Sequence, residues 1–301
     1  MIRKRTILSL ALLASTAACG GGGGGGTGGG GSAAAGGSPT ATAGAALPST
    51  NFQSPSVFMA ADGTTTMAAD QTSQTYTMTG AGSGADPIIL HVNINAGGVN
   101  YNNDYDLTHV NDPTTAAFAH NVFQQASPTT THDGSTIVFD DTLSSSQYGI
   151  WQNQNGQIAV FADGNDTPVA DIPPTGTATY TGASIGGGQT GGNTFTLVGD
   201  FNGKLDFGSR NFNAQWNMTA QNAAGGTAQL QVNTNQAALA PNSNKISGTI
   251  NSTATSAIIP NALSGSMTAA LYGAKAAEIG GVGALSGGNT SAIFAFGGKQ
   301  P

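Results

Sequence analysis

Four histidines, fifteen carboxylates and one cysteine are the side chains of this sequence with chemistry to offer, and their spacing decides what they can do. His91, His109, His120 and His132 all fall in the first half of the chain. Imidazoles hold zinc or ligate haem, but no two of these are four residues apart and none has a cysteine partner nearby. Gly182-Ala183-Ser184-Ile185-Gly186 matches the G-x-S-x-G nucleophile elbow letter for letter. That motif works at a strand-turn-helix corner, with an acid and then a histidine downstream. Here every histidine precedes Ser184 and no helical pattern follows it, so the segment reads as a glycine-rich strand end and the chain as a non-enzyme. Gly199-Asp200-Phe201-Asn202-Gly203-Lys204 is one residue short of a phosphate loop and reads as a hairpin turn. Asn102-Asn103-Asp104-Tyr105-Asp106, with Asn111-Asp112, gathers oxygen ligands of the kind that suits Ca²⁺, without the glycine and distal glutamate of an EF-hand. No metal and no cofactor is expected.

Tyr101, Tyr105, Tyr148 and Trp151 are either partner-facing aromatics, since Tyr and Trp dominate interface hot spots, or packing residues. The candidate ligand-binding residues are therefore Tyr101, Tyr105, His109 and His120. Glu278 is the only acidic residue after Asp206. A lone carboxylate makes no acid–base pair, and Glu278 reads as a structural acceptor of backbone N–H groups where the C-terminal meander turns.

Only 8% of the residues are charged and 46 are glycine, while hydrophobic residues reach 38%, the balance of a secreted β-protein. Arg3, Lys4 and Arg5 begin a positively charged n-region; Ile7 to Ala14 is a short apolar core; Thr16-Ala17-Ala18-Cys19 is a small-residue cleavage site. Residues 1–18 are thus a signal peptide, too short for a permanent span. It resembles a bacterial lipoprotein signal, which implies that Cys19 becomes the acylated first residue, held in the membrane by several chains. Its removal leaves 5 basic residues against 15 acidic ones, a net charge of about −10 that argues against nucleic acid. Residues 19–50, almost all Gly, Ala, Ser and Thr, have nothing to bury and read as a flexible tether.

The elements that would position any site are strands. Gln74–Gly80, Ile88–Asn95, Ser135–Asp140, Ser146–Gln152 and Gln157–Asp163 are bounded by Gly, Asn, Asp and Pro, and Asn155-Gly156 is a hairpin signal. Thr114–Gln125, with Phe118 and Val122 four apart, is the best helix candidate. Pro173-Pro174 marks a boundary between a β-rich handle domain, 51–172, and a second domain, 173–301. The second domain offers strands at Gly176–Gly186, Asn193–Phe201, Arg210–Met218, Ala228–Asn233 and Lys245–Ile250. A meander over Leu263–Lys299 follows, in which Leu263, Gly265, Met267, Ala269 and Leu271 share one face. Five strands and three make eight, enough to close a small antiparallel barrel whose curvature accounts for the strand glycines.

Tyr148–Trp151, Gly164–Gly182, Leu205–Gln215, Leu271–Gly281 (LYGAKAAEIGG) and Phe294–Lys299 (FAFGGK) resemble the β-barrel lobe of transferrin-binding protein B and related surface lipoproteins such as factor H-binding protein. The resemblance covers roughly Tyr148 to Lys299. It implies an all-β protein, an eight-stranded antiparallel barrel preceded by a β-rich handle, in a single lobe where the full receptor has two. It further implies a monomeric lipoprotein of the outer membrane, displayed at the cell surface, that binds a protein or an iron- or haem-bearing ligand. The other reading is a structural or surface-coat envelope lipoprotein with no dedicated ligand.

Overall fold

The computed structural model describes residues 56–68, 74–79, 89–96, 99–106, 112–117, 122–126, 135–140, 142–153, 155–253 and 256–301. The signal segment, Cys19 and the tether lie outside these residues. The described chain is almost entirely β. Its first part contains β1 (Ser56–Met59), β2 (Thr65–Ala68), β3 (Gln74–Thr79), β4 (Ile89–Ala96), β5 (Val99–Asp106), β6 (Asp112–Ala117), β7 (Val122–Ala126), β8 (Thr136–Asp140), β9 (Ser146–Gln152) and β10 (Ile158–Gly164). The second part contains β11 (Thr177–Thr190), β12 (Asn193–Asp206), β13 (Phe212–Asn222), β14 (Thr227–Leu239), β15 (Lys245–Ser252), β16 (Ser264–Tyr272), β17 (Glu278–Gly287) and β18 (Thr290–Lys299).

Strands β11 to β18 pair in sequence and close, β18 on β11, into an eight-stranded antiparallel barrel, as the strand count predicts. The first part forms a seven-stranded sheet in the order β2-β1-β10-β9-β8-β7-β6 and a three-stranded sheet in the order β3-β4-β5. Two-residue alternation sends Phe201, Trp216, Phe294 and Phe296 into the barrel, where the Trp216 ring centre lies 5.0 Å from that of Phe296 and 5.4 Å from that of Phe294. Met267, Ala269 and Leu271 join this core, as the alternation of Leu263–Tyr272 requires.

The barrel is not wet all round. Ala183, Ile185, Val282, Ile293 and Ala295 face outward on β11, β17 and β18, and form a second core with Val57, Tyr148, Ile150 and Val160 of the seven-stranded sheet. On the other face of that sheet, Phe58, Ile137, Phe139, Trp151 and Phe161 pack with Leu90, Val92 and Tyr105 of the three-stranded sheet. The molecule is therefore layered: small sheet, large sheet, barrel. Curvature alone does not account for the strand glycines. At Gly297 a side chain would begin 2.4 Å from the Tyr148 ring, and at Gly187 it would begin 3.1 Å from Ile158, so these glycines let the sheet lie close on the barrel wall.

Two expectations are overturned. Within Thr114–Gln125 the described residues are strands of a hairpin, with Ala117 opposite Val122 and Ala116 opposite Phe123. β-Branched Thr114 and Thr115 and pairing of β7 onto β8 outweigh the single four-residue spacing that suggested a helix. Gly199–Lys204 is no turn: it lies inside the 14-residue β12, with Gly199 opposite Ser184 and Gly203 opposite Tyr180. The hairpin turn before it is Gly191-Gly192, both at positive φ, where glycine carries no steric penalty. The Asn155-Gly156 signal holds, with Gly156 at φ 76° in the loop between β9 and β10.

Candidate functional site

The sequence candidates separate once folded. Tyr105 is completely buried, and Tyr101 is half-buried beside it. Both project from β5 toward the seven-stranded sheet, because Asn103 and Tyr105 share a face with Tyr101 at two-residue spacing. The Tyr101 and Tyr105 hydroxyls are 2.6 Å apart, and Ser135 Oγ lies 2.7 Å from the first and 2.8 Å from the second. The Trp151 indole N–H donates to the Tyr105 oxygen at 2.9 Å, and the Tyr101 ring packs on Trp151 with centres 4.9 Å apart. Burial pushes the Tyr105 phenol well above its usual range, and its bond with Tyr101 pushes the same way. This is a closed hydroxyl and indole network that ties the three-stranded sheet to the large one. Tyr105, Tyr148 and Trp151 have no exposed surface to offer a partner, while Tyr101 keeps a solvent edge.

His109 and His120, like His132, lie outside the described residues. His91 sits on the outer face of β4, with Nδ1 2.6 Å from Asp104 Oδ1 on β5. Asn102–Asp106, the segment of the calcium reading, belongs to the strand β5, so Asn103 turns inward while Asn102 and Asp104 face out, and Asn111 lies outside the described residues. Among the described residues no three His, Cys, Asp or Glu side chains are grouped to hold a metal. Ser184 is likewise on a continuous strand, buried, its hydroxyl donating to the Gly199 carbonyl at 3.2 Å. The strand-turn-helix corner that exposes a nucleophile is missing there.

The densest polar arrangement is where the large sheet meets one end of the barrel. Glu278, 4% exposed, projects outward from the start of β17. Its Oε1 accepts the Ser144 N–H at 2.8 Å, and its Oε2 accepts the Ser145 N–H at 2.9 Å and the Ser146 hydroxyl at 2.8 Å. The carboxylate does accept backbone N–H groups, but from the β8–β9 turn of the sheet and not from its own meander. Nearby, Asn165 N–H donates to Ser145 O and Gly273 N–H to Asn165 O, both at 2.8 Å; Thr167 Oγ1 donates to Gly273 O at 2.7 Å. Asp166 bridges to Tyr272 and pairs with Lys245 at 3.4 Å. Tyr272, buried beside Asp163 and Asp166, has its phenol held well above the usual range, first by burial and then by those two carboxylates. Sequence reading missed Ser135 altogether. The run Ser144-Ser145-Ser146 was the one visible hint of a donor cluster.

No protein-family model matches the sequence, and no curated protein does. Solved structures do. The haemoglobin receptor HpuA from Kingella denitrificans in complex with human haemoglobin matches at 15% identity and a TM-score of 0.52, covering 88% of this chain and 92% of that one. The same receptor without ligand matches at 14% identity and 0.50, covering 87% and 91%. This chain has the fold of a transferrin-binding protein B-like lobe. A transferrin-binding protein B from Haemophilus parasuis aligns at 17% identity and a TM-score of 0.45 over 75% of this chain and 53% of its own. The chain thus spans about half the length of the transferrin-binding proteins B it matches, and nearly all of HpuA. At such identities the likeness is one of fold, and the lobe's ligand has to be argued separately.

Proposed function

We propose that this lobe is a non-catalytic binding module of the bacterial cell surface, which captures a protein or an iron- or haem-bearing ligand. The observation that carries this reading is the match to HpuA over almost the full length of both chains, in a structure where that receptor holds human haemoglobin. In this reading Cys19 carries the lipid that anchors the chain in the outer membrane, residues 19–50 are the tether, 51–172 the handle and 173–301 the barrel. The hypothesised ligand-binding residues remain Tyr101, Tyr105, His109 and His120. Of these, Tyr101 offers an accessible edge, and Tyr105 acts only by holding Tyr101 in place.

One observation favours the coat-protein alternative. Among the residues whose side-chain burial is described, the only exposed large hydrophobic one is Val169, a surface with few apolar anchors for a partner. The two readings part in a pulldown with the full mature protein as bait, from serum, from red-cell lysate, and with purified haemoglobin and transferrin as defined probes. Retention of a haem- or iron-bearing protein is expected. Failure to retain any component of these fluids sinks the binding reading and leaves the coat. Protease shaving of intact cells tests display: loss of the protein from untreated cells after brief protease exposure supports it, and full protection refutes it.

A further inference from the structure

Sheet and barrel are joined unevenly. Along the wall their contact is apolar, and apolar contact is non-directional, so it resists separation more than sliding. At one end Glu278 collects all three of its donors from Ser144, Ser145 and Ser146, residues of the sheet. At the opposite end the β1–β2 turn rests on Gln189, whose side-chain nitrogen is buried with no hydrogen-bond partner among the described residues. The directional contacts are thus concentrated at one end, and the Glu278 carboxylate is central to them.

We infer that Glu278 couples sheet and barrel into one cooperative folding unit. Its two oxygens accept three donors across the junction, the Ser146 hydroxyl among them buried, so the turn at Ser144–Ser146 reaches these partners only when the sheet is seated on the barrel. Glutamine cannot substitute. Its amide carries one acceptor oxygen and one NH2 group, and in either orientation the NH2 faces a backbone N–H, that of Ser144 or that of Ser145, which sets donor against donor. Once uncoupled, the sheet gives way first, since it has open edge strands in β2 and β6 while the closed barrel has none. This inference concerns the lobe itself and stands whether or not a ligand is found.

The two tryptophans of the chain make it measurable, because Trp151 reports from the sheet and Trp216 from the barrel. In full-length protein carrying Trp216→Phe or Trp151→Phe, urea unfolding is followed in each variant by the remaining indole and by far-ultraviolet circular dichroism, and the two signals of each variant should share one midpoint. With Glu278→Gln added, the Trp151 midpoint should fall about 1 M or more below its value in the same background, and the Trp216 midpoint by clearly less, so that the two shifts split. Coincident shifts of the two probes, or no shift in either, overturn the inference, as does a mismatch of the two signals within a variant that keeps Glu278. If Glu278→Gln does not fold, Ser146→Ala removes one donor and leaves the carboxylate in place. A smaller split in the same order is then expected, and coincidence there also refutes the coupling role.

Discussion

At the scale of single residues, Ser184 and Tyr105, which looked chemical in the sequence, are held in hydrogen bonds within the packed fold. Tyr105 is the clearest: its hydroxyl accepts the Trp151 N–H and meets Tyr101 and Ser135 within a buried network. Tyr105→Phe leaves the indole N–H without its acceptor and should lower stability by about 1–3 kcal/mol. Denaturant unfolding measures this, and the Trp151 emission should shift at the same time. Burial raises the pKa of Tyr105, Tyr180 and Tyr272 above the ordinary value near 10. The folded state then holds phenol protons that the unfolded chain gives up. Their contribution is intact below pH 10 and is lost as pH rises through that value toward the higher folded-state pKa values. Stability should therefore fall steeply above about pH 10, by up to 1.4 kcal/mol per pH unit for each of the three phenols. A melting series from pH 8 to 12 that stays flat would contradict this.

At the scale of elements, β18 shows how a strand is specified by what lies on each side of it. Phe294 and Phe296 enter the barrel core, and Ile293 and Ala295 between them enter the core shared with the sheet, so both faces are buried. SAIFAF therefore reads as a continuous apolar run, unlike Asn213–Gln221, where polar residues alternate with Ala214, Trp216, Met218 and Ala220 and the outer face meets water. Phe294→Ala and Ile293→Ala should each cost about 2–5 kcal/mol by thermal or chemical unfolding. Asn217→Ser, on the exposed outer wall, should change stability by less than about 0.5 kcal/mol. If Ile293→Ala were equally silent, the outer face of β18 would not be packed against the sheet. Gly297→Ala belongs to the same scale. A methyl there meets the Tyr148 ring, which is itself buried, so the substitution should destabilise by about 1–3 kcal/mol by overpacking.

At the scale of the whole molecule, a small sheet, a large sheet and a barrel stack with two apolar interfaces between them. The barrel carries an outward apolar stripe, Ala183, Ile185, Val282, Ile293 and Ala295, which would be exposed without the large sheet. A fragment beginning at residue 173 should consequently bind the dye ANS and aggregate more readily than the full chain, whereas an equally soluble, dye-silent barrel would count against this packing. The proposed anchor is tested at this scale too. Cys19→Ala should move the protein from the membrane fraction to the soluble envelope or medium, read by fractionation and immunoblot, if acyl chains are what hold it there.

Much of the barrel was legible in the sequence because its signals are local and repeated. Alternation in Leu263–Tyr272, glycine turns, and eight evenly placed strands all follow from the two-residue period of a chain with one wet face. The expectation of a lipoprotein-like N-terminus rests on the same kind of local signal, a short ordered string of charge, apolar core and small residues. What only the tertiary structure decided is what crosses long intervals of chain. Glu278 meets serines more than 130 residues before it, Gly297 meets Tyr148, and Tyr105 meets Ser135 and Trp151. No period or spacing encodes such contacts. They exist because a twisted sheet laid on a curved wall brings those positions together, and that placement turned a motif glutamate into the junction between two halves of the lobe.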